Sequence, residues 1–289
     1  MSTEIRTDPG FDSWVEEHLR RIDPDVLSYD PACAPEMADL YEVMQDYARK
    51  MKLRNTAIAL PLLRGLITEV PGILPGQPWE AAGCYRHGLS VCRILVNLRL
   101  PVTPEEEDVC LAAALFHVPM ETGRLPMGGR ELSGQWQLSP EIVSLLQKVT
   151  PPGPVNRAEK KAYFERIRED RLALLVKIAD RAHILGMLQE MPVRTALEYI
   201  RETREYYMPL CIYAREHYEE LQGVATLMME KMRSLMDVTE ILATRHQEKE
   251  TAMLKEILLL QEENARIRRQ IERLKAERQA ETAGSSNTK

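Results

Sequence analysis

The sequence has no excess of positive charge. Lys and Arg total 38 against 44 Asp and Glu, a net charge of −6 with a pI of about 5.7. That balance argues against a globally basic binder of nucleic acid or of a membrane surface. Aromatic residues are scarce, at 6%, too few for interleaved platforms that stack single-stranded bases. Cysteine is also sparse. Cys33, Cys84, Cys92, Cys110 and Cys211 are odd in number, and no two have CxxC spacing. A disulfide framework or a zinc ribbon is therefore not expected, and reduced thiols are the default. Long apolar runs are missing: Leu111 to Phe116 is among the longest and falls far short of a bilayer span. MSTEIRTDPG has no apolar stretch behind a basic patch, so it does not read as a secretory signal. A cytoplasmic protein with no membrane or nucleic-acid partner is the expectation.

What is present is helical. The 289 residues are 44% hydrophobic and 28% charged, ordinary for a globular chain of one or two domains. Of 18 prolines, all but Pro209 lie at or before Pro192. Up to that point, apolar residues at helical spacing alternate with Pro and Gly breaks. The pattern predicts helices over Phe11–Ile22, Pro35 to about Leu60, Trp79–Leu98, Glu105–His117, and Arg157–Leu188 with a break near Asp170. Ser139-Pro140-Glu141 opens another, with Ser at the cap and Pro in the first turn, and Pro192 opens a last one. Sustained period-2 alternation is absent, so the fold class is all-α. Gly123 to Gly134, with its Gly128-Gly129 pair, reads as a mobile loop. The organisation predicted is an N-terminal helical extension (1–37), a helical bundle (38–218), a long helix (219–281) and a small, polar, disordered tail (282–289).

The long helix changes period. Met253, Leu260, Ile267 and Leu274 recur every seven residues, as do Ile257, Asn264 and Ile271. These fill the d and a positions of a heptad repeat. Asn264 falls at a, where a buried amide favours matched register and two strands, and Glu263 at g would meet Arg268 at e of a partner. A homodimeric coiled coil through 253–278 is the expectation. The competing reading is a single solvated helix on its own domain. Arg266, Arg268 and Arg269 alternate with Glu262, Glu263 and Glu272, which reads as a solvated face rather than a nucleic-acid patch.

Three residues carry chemistry on apolar helices. Leu172–Leu188, LALLVKIADRAHILGML, is apolar nearly all round and marks a buried helix. Asp180 lies within it, and a buried carboxylate needs a counter-charge or a metal. Lys177 or Arg181 could supply the first; metal ligation is the alternative. His117 ends the apolar segment LAAALFH, and His87 stands near the start of a third apolar helix. Two His and one Asp on separate apolar helices are the parts of a metal site inside a bundle.

The order HGLSVCRILVNL, LAAALFHVPMET, VKIADRAHILGML and MPVRTALEYIRETREYYMPL resembles the HD hydrolase domain of the RelA/SpoT homologues, which degrade the alarmone (p)ppGpp. The similarity covers roughly residues 38 to 215. It implies an all-α HD domain, one Mn²⁺ and a guanosine nucleotide substrate. Its ligand pattern maps the first His onto His87, the doublet His onto His117 and the later Asp onto Asp180. Glu121 matches the first of the acidic pair that activates water. The departures are specific. Val118 stands at the doublet Asp, Thr122 at the second acid and Ile184 at the later Asn. The Arg-Lys segment that contacts guanosine has no counterpart in GQPWEAAGCYRH. After MPLCIYA, where the resemblance would place the synthetase domain of the long enzymes, the sequence passes into the long helix.

Losing the doublet carboxylate makes the site one unit more positive and removes a hard oxygen ligand. Pro119 also biases Val118 away from helical geometry, so Glu121 need not lie one turn above His117. Two outcomes follow. The remaining trio could still hold a divalent ion, with Glu121 as base. Otherwise the site is dead, and the domain senses a nucleotide, binds a partner or acts as a spacer on a dimerising helix. His183 and Arg181 are read as hydrogen-bonding and ion-pairing supports around Asp180.

Overall fold

The computed structural model describes residues 9–19, 35–68, 81–121, 138–151, 153 and 156–285. Every regular element among them is helical. In chain order they are α1 (Pro9–Leu19), α2 (Pro35–Met51), α3 (Arg54–Thr68), α4 (Ala81–Asn97), α5 (Pro104–Glu121), α6 (Pro140–Val149), α7 (Arg157–Arg168), α8 (Arg171–Gly186), α9 (Val193–Glu202), α10 (Met208–His217) and α11 (Gln222–Ser285). A π-helical turn, Thr203–Tyr207, joins α9 to α10, and short 3₁₀ turns precede α9 and α11. The expected loop at Gly123–Gly134, Thr122 and Trp79 lie outside the described residues. No helix of the described residues is long and apolar enough to cross a membrane.

The chain forms two compact units, Met1–Met236 and Asp237–Lys289. In the first, α5 is the central rod. Cys110 to His117 is buried without interruption, and α3, α4, α6 and α8 all pack on it. A helix apolar on every side must be enclosed in this way. Its acidic start, Glu105–Glu107, suits the positive end of the helix dipole. One turn later the Asp108 carboxylate accepts from Asn55 N and Thr56 N, both at 2.8 Å, and from Thr56 Oγ1 at 2.7 Å. It caps α3 from a neighbouring helix. Met228, Met229, Met232 and Met236, the methionine run of α11, are buried in the same unit.

Several helix bounds follow the sequence signals directly. Ser139 Oγ accepts from Ile142 N at the start of α6, with Pro140 next to it. Asn156 and Glu159 form a capping box on α7. The break near Asp170 is real, because its Oδ1 accepts from Leu172 N and Ala173 N and starts α8. The helix expected from Pro35 to Leu60 is instead two. Lys52 takes φ 58°, a left-handed conformation that ends a helix. The last helix runs on to Ser285, further than its expected end, with Gly284 in its final turn.

Pro119 does not disrupt α5, contrary to expectation: the helix continues through Val118 to Glu121. Proline has no N–H to offer the carbonyl one turn back, which is that of Leu115. Against that carbonyl lies Gly88 of α4, where an added Cβ would come within 3.1 Å of Leu115 O and 3.4 Å of Ala114 O. The missing side chain lets α4 and α5 approach closely where His87 and His117 project.

Candidate metal centre

His87 on α4, His117 on α5 and Asp180 on α8 converge, though 30 and 63 positions separate them in the sequence. His87 Nε2 lies 3.1 Å from His117 Nε2 and 3.0 Å from Asp180 Oδ1. His117 Nε2 lies 3.6 Å from the same oxygen. All three side chains are buried. Donors at about 2.1 Å from one ion, with tetrahedral or octahedral angles, stand roughly 3.0–3.4 Å apart. The triangle therefore has the size of a coordination shell. Its chemistry, two imidazoles and one carboxylate, suits a divalent ion. A His87–His117–Asp180 cluster of this kind could hold one.

The opposite ring nitrogens set the tautomers. His117 Nδ1 is 2.7 Å from the Ala114 carbonyl. It must donate there, which leaves Nε2 aimed at the cluster. His87 Nδ1 is 2.9 Å from His183 Nδ1. Asp180 divides its two oxygens: Oδ1 faces the histidines, and Oδ2 accepts from Lys177 Nζ at 2.6 Å. Lys177 Nζ also donates to Glu121 Oε1 at 3.1 Å. The two readings of Asp180, ion pair and ligand, are thus compatible, because each uses a different oxygen.

Titration follows from this geometry. Burial opposes the charged form of Asp180, but Lys177 and the two histidines hold its carboxyl well below the usual range. Burial likewise works against Lys177, yet Asp180 and Glu121 raise it well above its ordinary value. The two imidazoles diverge. Desolvation lowers His87 despite its bond to Asp180. His117 is raised, because Asp180 and Glu121 outweigh its burial. Of the two rings, His117 is the one whose protonated form its neighbours favour; because its Nδ1–H is committed to a carbonyl, a second proton there would occupy Nε2. His183 is pushed down to about 4 by burial and by His87.

The cluster opens on a cavity of about 400 Å³. His87, Asp180, Lys177 and Glu121 line it, and Val118 and Ile184 contribute apolar wall. Lys160, Arg181, Tyr199, Glu202 and Tyr207 also line it. Arg181 Nη2 donates to Glu202 Oε2 at 2.7 Å, and its guanidinium lies 3.9 Å from the Tyr207 ring centre. Glu202 also pairs with Lys160. A larger cavity of about 880 Å³ between α7 and α10 contains none of the trio.

The structure thus brings together His87, His117 and Asp180, while Glu121 lines the same cavity and is linked to Asp180 through Lys177. Glu121 lies one turn beyond His117 on an unbroken α5. Sequence reasoning did not find Lys160, Tyr199 or Tyr207 as cavity residues. RETREYY gives a signal only in retrospect, since the π turn that re-aims Tyr207 has no pattern of its own in the sequence. No protein-family model, curated protein or solved structure matches the chain.

Proposed function

We propose that the chain is an HD-type, phosphohydrolase-like module that holds one divalent ion and binds a phosphorylated guanosine of the (p)ppGpp class, with hydrolysis strongly weakened. The observation that carries this reading is the convergence of His87 Nε2, His117 Nε2 and Asp180 Oδ1 beside the cavity. When bound, the ion supplies Lewis acidity toward a phosphoryl oxygen. The chain's own groups do the rest. Ala114 O fixes the His117 ring, and Lys177 fixes the Asp180 carboxylate. Lys160, Lys177 and Arg181 place three cations on the cavity wall, each paired with a carboxylate of Glu121, Asp180 or Glu202, and Tyr199 offers a half-buried ring. Two features support weak turnover. Val118 adds an apolar wall where the resemblance places a carboxylate. Glu121, the matching base, already accepts from Lys177.

The test uses the full chain with Mn²⁺. One equivalent of metal, metal-dependent binding of (p)ppGpp and little pyrophosphate release are expected. Val118→Asp should raise both metal affinity and turnover. A protein that takes up neither metal nor nucleotide overturns the reading. Rapid hydrolysis by the unaltered chain refutes the weakened site while leaving the metal reading intact.

We also propose that residues 253–278 of the second unit pair with a second copy of the chain. Along α11, Met253, Ile257, Leu260, Ile267 and Ile271 are all exposed at a and d positions. Such a stripe gains stability only when a facing helix covers it. Leu260→Glu with Ile267→Glu should convert a dimer to a monomer in light scattering. An unchanged mass, or a monomeric wild-type chain, overturns the proposal.

A further inference from the structure

We infer that His183 is a positioning residue for the metal centre, accepting a hydrogen bond from His87 and thereby turning the His87 lone pair toward the ion. The inference rests on the metal reading above. A neutral imidazole carries one N–H and one lone pair. If His87 Nε2 is to ligate, its proton must sit on Nδ1. That atom lies 2.9 Å from His183 Nδ1, so His183 accepts there and carries its own proton on Nε2. The rings meet edge to face, with centroids 4.7 Å apart and planes at 72°.

The arrangement is economical in chain terms. Asp180 and His183 are three residues apart on α8 and so share a face. One helix therefore meets the His87 ring at both nitrogens: with an ion bound, Asp180 Oδ1, 3.0 Å from Nε2, would be a fellow ligand, and His183 would accept from Nδ1–H. His117 meets the same requirement with a backbone carbonyl, which no side-chain substitution removes. His87 instead depends on a side chain, and a replaceable one. Outer partners of this kind orient metal-bound imidazoles, and losing one commonly costs 10–100-fold in metal affinity. A neutral imidazole is a weaker acceptor than the carboxylates often found there, so the His87 ligand keeps less negative character.

The test is a Zn²⁺ titration of the full-length wild type, His183→Phe and His183→Asn. It is joined to ¹⁵N NMR of histidine-labelled, Zn²⁺-loaded wild type. Zinc serves as a diamagnetic probe. Phe keeps ring volume without an acceptor, whereas Asn can place its Oδ1 near the Nδ1 position. Wild type should show His87 protonated on Nδ1 and His183 on Nε2. His183→Phe should lose about 10–100-fold in zinc affinity, with the metal-free melting temperature close to that of wild type. His183→Asn should recover most of the loss. Undiminished affinity in His183→Phe overturns the positioning role alone. So does an equal loss in His183→Asn, or a His183 proton found on Nδ1. A wild-type chain that takes no zinc overturns the metal reading and this inference with it.

Discussion

Gly88→Ala tests the close approach of α4 and α5 with a sign rather than only a size. Gly88 lies inside a helix, and by intrinsic propensity alone Ala there should stabilise by about 1 kcal/mol. The packing predicts the reverse. The new Cβ would meet Leu115 O at 3.1 Å, with Ala114 O and Leu115 Cα at 3.4 Å. All three are backbone atoms, so no rotamer change relieves the contact; the helices must separate by a few tenths of an ångström. Overpacking of a tight core costs about 1–3 kcal/mol, which cancels or exceeds the propensity gain. Gly186→Ala and Gly223→Ala are the controls, since nothing lies within 4 Å of a Cβ at either. Each lies at a helix end, Gly186 closing α8 and Gly223 in the first turn of α11, so each should gain at most about 0.5 kcal/mol. For a chain of this size, 1 kcal/mol moves the melting temperature by about 2–4 °C. Thermal unfolding should therefore place Gly88→Ala at or below wild type and both controls above it. Because the separating helices carry His87 and His117, Gly88→Ala should also weaken Mn²⁺ binding. A Gly88→Ala protein that melts higher, as the controls do, and keeps full metal affinity would refute the account.

Other outcomes follow from the same geometry. Lys177→Met leaves Asp180 Oδ2 and Glu121 facing each other without their shared cation. It should cost about 3–5 kcal/mol in denaturant unfolding, with part of the loss recovered on adding metal. Asp180→Asn removes the only anionic ligand of the trio and should abolish tight Mn²⁺ uptake in equilibrium dialysis. Metal binding must displace the proton on His117, whose pKa is raised above 6.5. Affinity should thus fall about tenfold per pH unit below that raised value, measurable as proton release by calorimetry in buffers of different ionisation enthalpy. In the metal-free protein, the His117 contribution to stability is full below 6.5 and is lost as pH rises through the folded value. His183 runs the other way. Its folded pKa of about 4 lies below 6.5, so its contribution is full above 6.5 and is lost as pH falls toward 4. His183→Asn should flatten that acid limb of the melting-temperature profile. Asn264→Ile should raise the stability of the α11 pairing while relaxing its register or strand number, which sedimentation equilibrium would show.

The sequence by itself determined the helices. Apolar spacing, Ser139-Pro140, Asn156 with Glu159, and Asp170 act within a turn or two of their own position. Their effects are therefore local and can be read along the chain. The same holds for the heptad on α11, since its period depends on residue spacing alone. The candidate ligands were legible for a related reason: a histidine or an aspartate on an otherwise apolar helix is out of place unless something binds it. Only the tertiary structure decided the rest. Pro119 looks like a helix end, yet α5 runs on through it to Glu121, and Gly88 of another helix packs against the Leu115 carbonyl that proline leaves without an N–H. Lys52 ends α2 through a left-handed backbone angle that its residue type does not announce. Lys177, three residues before Asp180, was one of two possible counter-ions. It takes Oδ2 and leaves Oδ1 because α4 and α5 bring two imidazoles to the other oxygen. The bond between His183 and His87 joins residues 96 positions apart, and the cavity is enclosed by side chains from α4, α5, α7, α8, α9 and the π turn. No local pattern encodes such contacts, because they depend on which helix faces meet, and that is set by the packing of the whole core.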